Sequence, residues 1–314
     1  MPQPTPGDVH VSAALTNMSV AYIQSDATFV ADKVFPVVPV EHQSDVYWTF
    51  NKEDFLRDEA RVRADSTESA GGGFNLATGT YSAQVEAFHK DIGDQLRANA
   101  DSILQLDLAA TRFVTQKMQI RRERRWASSF FTPGVWGADV TPATLWSAGG
   151  DPVADVETGK MMMQSTSGFK PNTLVLGPQV KSSLRNNARV RDQFKYTSAD
   201  SIDDAMLANL FGVRRVLTME AVYSPTIEGG ASPTTQFIAG KNALLCYTPD
   251  APSILEPAAG YTFAWKGYIN SNNGLRVKKF RMEKNAADRI EGEIAYDMRT
   301  VAPSLGYFFS GAVA

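Results

Sequence analysis

Catalysis or metal binding by this sequence would depend chiefly on its few histidines and its single cysteine. His10, His42 and His89 lie far apart, and none has a second histidine at helix spacing. Zinc sites need closely spaced histidine, cysteine or carboxylate ligands, so the sequence predicts no metal site. Cys246 has no disulfide partner and no basic neighbour that would lower the pKa of its thiol. It is predicted to be a small buried apolar residue.

Motifs for phosphate binding and acid–base catalysis are also missing. The Gly-Lys pairs at 159–160 and 240–241 lack both the upstream glycine and the following Ser or Thr of a phosphate-binding loop. The glycine run at 71–73 does not stand between a strand and a helix, as a dinucleotide-binding loop would. Asp203 and Asp204 are adjacent and point in different directions on a helix. We therefore predict no catalytic residue and no cofactor, and we do not expect an enzyme.

Composition limits the function classes further. The chain has 314 residues, 43% of them hydrophobic, and a formal net charge of -3. That charge disfavours a protein that coats DNA by electrostatics alone, which requires an excess of Lys and Arg. The first residues lack the pattern of a signal peptide, and no apolar run approaches the ~20 residues that span a bilayer. We expect a soluble protein with no membrane partner.

A long charged hairpin is the most unusual feature of the sequence. Residues 45–51 alternate between apolar and polar positions, which predicts a strand, and a second strand is expected at 80–89. Between them, residues 52–68 carry four basic and six acidic side chains. An excursion of this length is uncommon in a compact domain and usually indicates function or disorder. A solvated loop is the alternative interpretation.

The N-terminal 40 residues are predicted to form an extended arm, because prolines flank them at both ends. The arm ends with the apolar residues Phe35, Val37 and Val38, which need a surface to pack against. We predict that these three residues pack against a neighbouring subunit. Packing on the core of the same chain is the alternative.

The rest of the chain mixes helices and strands without regular alternation, which indicates an α+β fold. A long helix is predicted at 101–130, capped by Asp101. A second is predicted at 152–165, with Asp151 as its cap and Pro152 at its first position. Further helices are expected at 178–186 and 202–211, the latter capped by Ser201. Strands are expected at 173–176, 214–218, 236–239, 243–247, 262–265, 276–284 and 289–297.

Several stretches resemble the HK97-fold major capsid proteins of tailed bacteriophages. They are FPVVPV, then DVYWTFNKEDFLRDEARVRADSTES, then DPVADVETGKMMMQSTSGFKPNTLVLGP, and the terminal TVAPSLGYFF. The resemblance covers nearly the whole chain. It implies an N-terminal arm at 1–40, an extended E-loop hairpin at 41–90, a peripheral domain with a spine helix at 91–170, an axial domain at 171–262, and C-terminal strands at 263–314 that return to the peripheral domain.

The resemblance also implies a function and partners. Family members assemble with themselves into hexamers and pentamers that close an icosahedral shell around double-stranded DNA. We expect a virion capsid protein that assembles in the host bacterial cytoplasm with a separate scaffolding protein and a portal. The resemblance leaves open whether a decoration protein also binds the shell. The DNA would be contacted weakly on the inner face, with the basic cluster at 121–125 as a candidate contact.

The contact between subunits is predicted to lie in the hairpin, through side chains of alternating charge: Arg57, Asp58, Glu59, Arg61 and Arg63. Such charges determine the register and orientation of an interface more than its affinity. Three alternatives remain at this point. They are an encapsulin-type compartment that encloses protein cargo, a soluble α+β enzyme with an unfamiliar site, and a DNA-binding protein that uses the cluster at 121–125.

Overall fold

The computed structural model describes residues 23–100, 105–194, 202–226, 228, 234–252 and 256–314. Within these ranges, the strands form two five-stranded sheets and two two-stranded sheets, and helices pack on the larger ones. The α+β prediction is confirmed. In the described part of the chain, no helix is both long and apolar enough to cross a membrane.

The helices vary from single turns to one of 25 residues. In chain order they are α1 (Ala31–Val34), α2 (Lys52–Leu56), α3 (Asp94–Asn99), α4 (Leu106–Phe130), α5 (Pro152–Ser167), α6 (Pro178–Asn186), α7 (Ala188–Gln193), α8 (Asp204–Phe211) and α9 (Lys266–Ile269). Short 3-10 turns lie at Asp26–Thr28, Trp146–Ala148, Glu283–Asn285 and Pro303–Leu305.

The strands are mostly short, with one long exception near the C-terminus. They are β1 (Val37–Val40), β2 (Ser44–Phe50), β3 (Leu76–Ser82), β4 (Gln84–Gly93), β5 (Ala138–Val140), β6 (Thr173–Leu176), β7 (Arg215–Thr218), β8 (Val222–Tyr223), β9 (Gln236–Phe237), β10 (Ala243–Cys246), β11 (Gly260–Trp265), β12 (Leu275–Met282), β13 (Ala287–Thr300) and β14 (Gly306–Phe309).

The first sheet carries the long helix α4 on one face. Its strand order is β1-β11-β13-β12. β4 also pairs with β13, along the edge of β13 that faces away from β12. The helix comes close to β13 at Gly292, where a Cβ would lie only 2.5 Å from a methyl group of Val114. Any larger residue at 292 would push the helix away. Val114 and Met118 are accordingly buried, whereas Phe113 is 41% exposed.

The second sheet has the order β5-β14-β10-β6-β7. Its strands β6 and β10 are apolar apart from Thr173 and are fully buried, as expected for strands that are covered on both faces. Helix α5 packs against β10 and β14, and α8 packs against β7. Leu174, Leu245 and Phe309 lie in this core.

The domain limits that the resemblance implied stay a prediction, and the sheet pairings cross two of them. β14 pairs with β10 in the second sheet, so the segment 263–314 does not return to the first sheet as a whole. β5 and α5, both within 91–170, belong with the second sheet as well. Local sequence does not encode these partners, because each pairing joins segments that lie far apart in the chain.

The bounds of several elements also differ from the prediction. α4 begins at Leu106 rather than at 101, and Gln105 precedes it without a side-chain cap. The predicted caps Asp101 and Ser201 lie outside the described residues. The start of α5 is confirmed, because the Asp151 side chain accepts hydrogen bonds from the N–H groups of Val153 and Ala154.

The sequence predicted a single return strand for the hairpin at 80–89, but the structure has two strands there, β3 and β4. β3 pairs with β2, and the chain then continues as β4, which pairs with β13 of the first sheet. The hairpin itself is therefore the β2–β3 ribbon together with the chain between its strands, and β4 belongs to the body of the subunit.

Candidate subunit-contact site

The base of the hairpin is fixed to the first sheet by stacked aromatic rings. Tyr47 on β2 and Tyr81 on β3 both stack on Phe263 of β11, with ring centroids 5.1 and 4.7 Å apart. Gly79 leaves room for the Tyr47 ring, because a Cβ at that position would lie 2.3 Å from it. The hairpin therefore leaves the body at a defined position.

Farther out, three phenylalanines form a small aromatic cluster. Phe50, Phe55 and Phe74 contact one another with ring centroids 5.6–5.8 Å apart. Residues 50–56 and 74–76, which carry this cluster, are called the hairpin head below. Sequence reasoning missed the head; the signal was the phenylalanines that flank the charged segment on both sides.

A buried carboxylate ties the two legs of the hairpin head together. The Asp54 side chain, only 1% exposed, accepts a hydrogen bond from the Asn75 N–H at 2.8 Å. It also lies 3.1 Å from the Arg57 guanidinium. The cluster and this carboxylate give the head a structure of its own.

The hairpin head exposes most of its apolar surface. Phe55, Leu56 and Phe74 are 61%, 57% and 57% exposed. Every residue from Phe55 to Thr78 is exposed. Contiguous apolar surface on a soluble chain usually marks an interaction site.

The charged residues predicted to contact a neighbour all lie exposed beyond the head: Arg57, Asp58, Glu59, Arg61 and Arg63. Arg57 lies 3.8 Å from Glu59, and the Arg63 guanidinium donates to the Thr67 carbonyl. Asp58 and Arg61 form no ion pair with any residue that the structure describes. Their role between subunits stays a prediction.

Phe35 lies in the core of its own chain, which favours the alternative interpretation, packing on the same chain, over the predicted contact with a neighbour. Its side chain has no exposed surface and packs against the rings of Trp126 and Phe130, at centroid distances of 5.8 and 4.8 Å. Val37 and Val38 are half-buried on β1, which pairs in parallel with β11. For these two residues, contact with a neighbour stays a prediction.

A buried carboxylate on α4 anchors the arm just before Phe35. The two oxygens of Glu123 accept hydrogen bonds from the N–H groups of Val30 and Ala31, each at 2.9 Å. Burial raises the pKa of the Glu123 carboxyl to about 7, and the charge of Asp32 acts in the same direction. Asp32 in turn lies 2.6 Å from the buried guanidinium of Arg122.

The Glu123 anchor predicts a specific pH dependence. The pKa of this carboxyl is raised in the folded chain above its ordinary value of 4.5. Its contribution to stability is therefore fully present below about pH 4.5 and is lost as the pH rises through 7. Relative to Glu123→Gln, the native chain should lose about 2–3 kcal/mol of unfolding free energy between pH 5 and pH 8. Urea denaturation of both proteins checks this, and parallel pH profiles would contradict it.

The basic cluster at 121–125 is largely used within the subunit. The Arg121 guanidinium forms two hydrogen bonds with Glu86, at 2.9 and 3.0 Å, and Arg124 lies over the Tyr223 ring at 4.1 Å. These arginines precede the last turn of α4, so they do not lie at the negative end of the helix. A contact with DNA by this cluster stays a prediction.

Cys246 is buried as predicted. It has no exposed surface, and burial raises the pKa of its thiol to about 12, so it is not a nucleophile at neutral pH. Within the described ranges, no group of three or more histidine, cysteine or carboxylate side chains is arranged to hold a metal ion.

Known proteins resemble this chain over almost its whole length. It is 24% identical to the major capsid protein of Burkholderia phage BcepMu and 23% identical to that of Pseudomonas phage JBD67, covering 96% and 97% of each. No family model matches the chain.

Solved structures resemble it in the same way. A phage-related protein from Bordetella bronchiseptica superposes with a TM-score of 0.71 at 23% identity, covering 92% of this chain and 94% of that one. The capsid of cyanophage P-SCSP1u gives 0.60 at 9% identity, over 93% and 89%. The chain has the HK97-like fold of phage capsid proteins. The assignment of the β2–β3 hairpin as the E-loop and of α4 as the spine helix stays a prediction.

Proposed function

We propose that the chain is the major capsid protein of a tailed phage, which assembles into hexamers and pentamers of an icosahedral head around double-stranded DNA. The observation that carries the proposal is the hairpin head, a folded apolar cluster that its own chain leaves exposed. The similarity to major capsid proteins along the whole chain supports it. The role is structural rather than enzymatic.

The head and the charges beyond it have different parts in the contact between copies. Covering a phenylalanine contributes about 1.5–3 kcal/mol, whereas an exposed ion pair contributes about 0–1 kcal/mol. The hairpin head therefore supplies most of the affinity for a neighbouring copy. The charges at 57–63 fix the register, because a misplaced copy would bring like charges together.

Charge reversal tests the register role. Arg57→Glu combined with Arg61→Glu is expected to prevent regular particles while leaving the subunit folded, because both positions are exposed. Electron microscopy and far-UV circular dichroism measure the two effects. The matched control is Arg57→Lys with Arg61→Lys, which keeps both charges and should assemble. Normal shells from the reversed variant would show that the charges are dispensable.

The remaining partners belong to the same proposal. We infer a separate scaffolding protein and a portal, with a decoration protein left open, and assembly in the cytoplasm of the host bacterium. The packaged DNA would face the inner wall and be held weakly, because the net charge of the chain is -3. Salt-dependent retention of DNA by the free subunit would instead favour a DNA-binding protein.

An encapsulin-type compartment is the nearest alternative. The SrpI encapsulin from Synechococcus elongatus superposes with a TM-score of 0.51, lower than that of the Bordetella protein. Particle contents separate the two functions, since a phage head packages DNA and an encapsulin encloses protein. An enzyme would instead elute from a size-exclusion column as a small oligomer of its 34.3 kDa chain.

A further inference from the structure

The turn between α9 and β12 holds the one Asn-Gly pair of the sequence, Asn273–Gly274. The Gly274 N–H donates to the Ser271 carbonyl at 3.2 Å, the long end of the range for such bonds, and Asn273 is exposed to water. Asparagine is thermolabile because the backbone nitrogen that follows it can attack its side-chain carbonyl. A following glycine favours this attack, since it has no side chain to obstruct the approach. The turn therefore combines the residue type, the neighbour and the solvent access that this reaction needs.

The backbone requires glycine at position 274. Its φ is +66°, and a Cβ there would lie 2.8 Å from the carbonyl oxygen of Ala295. The Gly274 carbonyl also accepts a hydrogen bond from the Ala295 N–H at 2.9 Å, which ties the turn to β13. A side chain that would slow the attack on Asn273 therefore does not fit at 274, and the fold retains the reactive pair.

A buried cation lies against the Asn273 amide. The Nη1 group of Arg122 donates to Oδ1 of Asn273 at 3.3 Å, and the Arg122 side chain is only 7% exposed. Its Nη2 group lies 2.6 Å from Asp32, whereas its Nε group has no hydrogen-bond partner among the residues that the structure describes. Donors aimed at a carbonyl oxygen stabilise the negative charge that develops there when the carbonyl is attacked. Arg122 is therefore placed to assist attack on Cγ of Asn273.

We propose that Asn273 converts slowly into an aspartate in the folded chain, without the help of an enzyme. The Gly274 nitrogen bonds to Cγ of Asn273 and gives up its proton to solvent. The bond between Cγ and Nδ2 breaks, and Nδ2 takes up a proton and leaves as ammonia. Water then opens the resulting succinimide ring at either of its carbonyl carbons. Attack at Cγ gives ordinary aspartate, and attack at the backbone carbon gives the isoaspartyl linkage.

Arg122 favours aspartate over the isoaspartyl product. Its guanidinium lies at the oxygen on Cγ, so it polarises the carbonyl whose hydrolysis gives aspartate. The new carboxylate would then bind Arg122 more strongly than the amide does, because a charged acceptor strengthens the hydrogen bond. Asp32 of the arm lies against the same guanidinium. The reaction would therefore join the arm, α4 and this turn through one ionic cluster.

Peptide mapping by mass spectrometry tests the inference. The folded protein is held in mildly alkaline buffer beside a synthetic peptide of residues 268–278, which contains the same turn without Arg122. Conversion at 273 is expected in both, and the ratio of aspartate to isoaspartate should be several-fold higher in the folded protein. Asn270 and Asn272, which lie in the same turn but are not followed by glycine, should keep their amides. Asn273→Gln, whose longer side chain closes the ring far more slowly, should stay unconverted.

Each part of the inference has a result that would overturn it. An Asn273 amide that stays intact in the folded protein while the peptide converts would show that the fold protects the site. An equal product ratio in protein and peptide would show that Arg122 does not direct the hydrolysis. None of these measurements requires particles to form, so the inference is independent of the proposed capsid function and can fail or succeed without it.

Discussion

Replacing both Phe55 and Phe74 with aspartate is expected to abolish shell formation while leaving the isolated subunit folded. Both side chains are more than half exposed in the subunit, so their loss should change its unfolding free energy by no more than about 1 kcal/mol. In the shell they would be covered by a neighbour. Two buried phenylalanines contribute about 3–6 kcal/mol to each contact between subunits. Their replacement should therefore weaken the affinity of that contact by about 10²- to 10⁴-fold.

The control for this pair is Phe55→Leu with Phe74→Leu. Leucine keeps the apolar surface, so these subunits should still assemble, although less tightly. Sedimentation of particles and thermal unfolding of the subunit measure the two quantities separately. Shells from the aspartate variant with normal yield would show that the hairpin head is not the main contact.

A second large effect is expected in the core. Phe35→Ala should lower the unfolding free energy of the subunit by about 3–5 kcal/mol, because it removes a fully buried ring and leaves a cavity beside Trp126. The ring also fits closely over Gly260, where a Cβ would lie 2.4 Å from it. Chemical denaturation of the free subunit measures the loss.

Val37→Ala is the matched control for the core position. Val37 lies two residues farther along the chain but is only half-buried at the edge of the first sheet. Its replacement by alanine should therefore lower the unfolding free energy of the subunit by only about 1 kcal/mol. If Phe35→Ala instead leaves the unfolding of the subunit unchanged and blocks assembly, Phe35 is a contact with a neighbour, as the sequence alone suggested.

Elements with strong local signals were predicted well from the sequence. Asp151 and Pro152 correctly mark the start of α5, and the apolar run of β6 lies between turn residues at the expected position. The start of α4 was placed too early, at 101, because Asp101 is a good capping residue whereas the observed start at Leu106 has no side-chain cap.

Features that depend on distant partners could not be predicted. Nothing near Phe35 shows that Trp126, some ninety residues later, provides its packing surface. The division of the return strand into β3 and β4 depends on β13, near the other end of the chain. The charges of the hairpin were visible in the sequence, whereas the cluster of Phe50, Phe55 and Phe74 needed the folded geometry to bring its members together.

Electron microscopy of the purified protein, alone and with its aspartate-substituted hairpin head, tests the capsid assignment most directly. The native chain is expected to give rings of six and five subunits and curved shells built from them, and Phe55→Asp with Phe74→Asp is expected to give dispersed subunits. A native chain that gives only small discrete oligomers, with neither rings nor curved assemblies under any assembly condition, would contradict it.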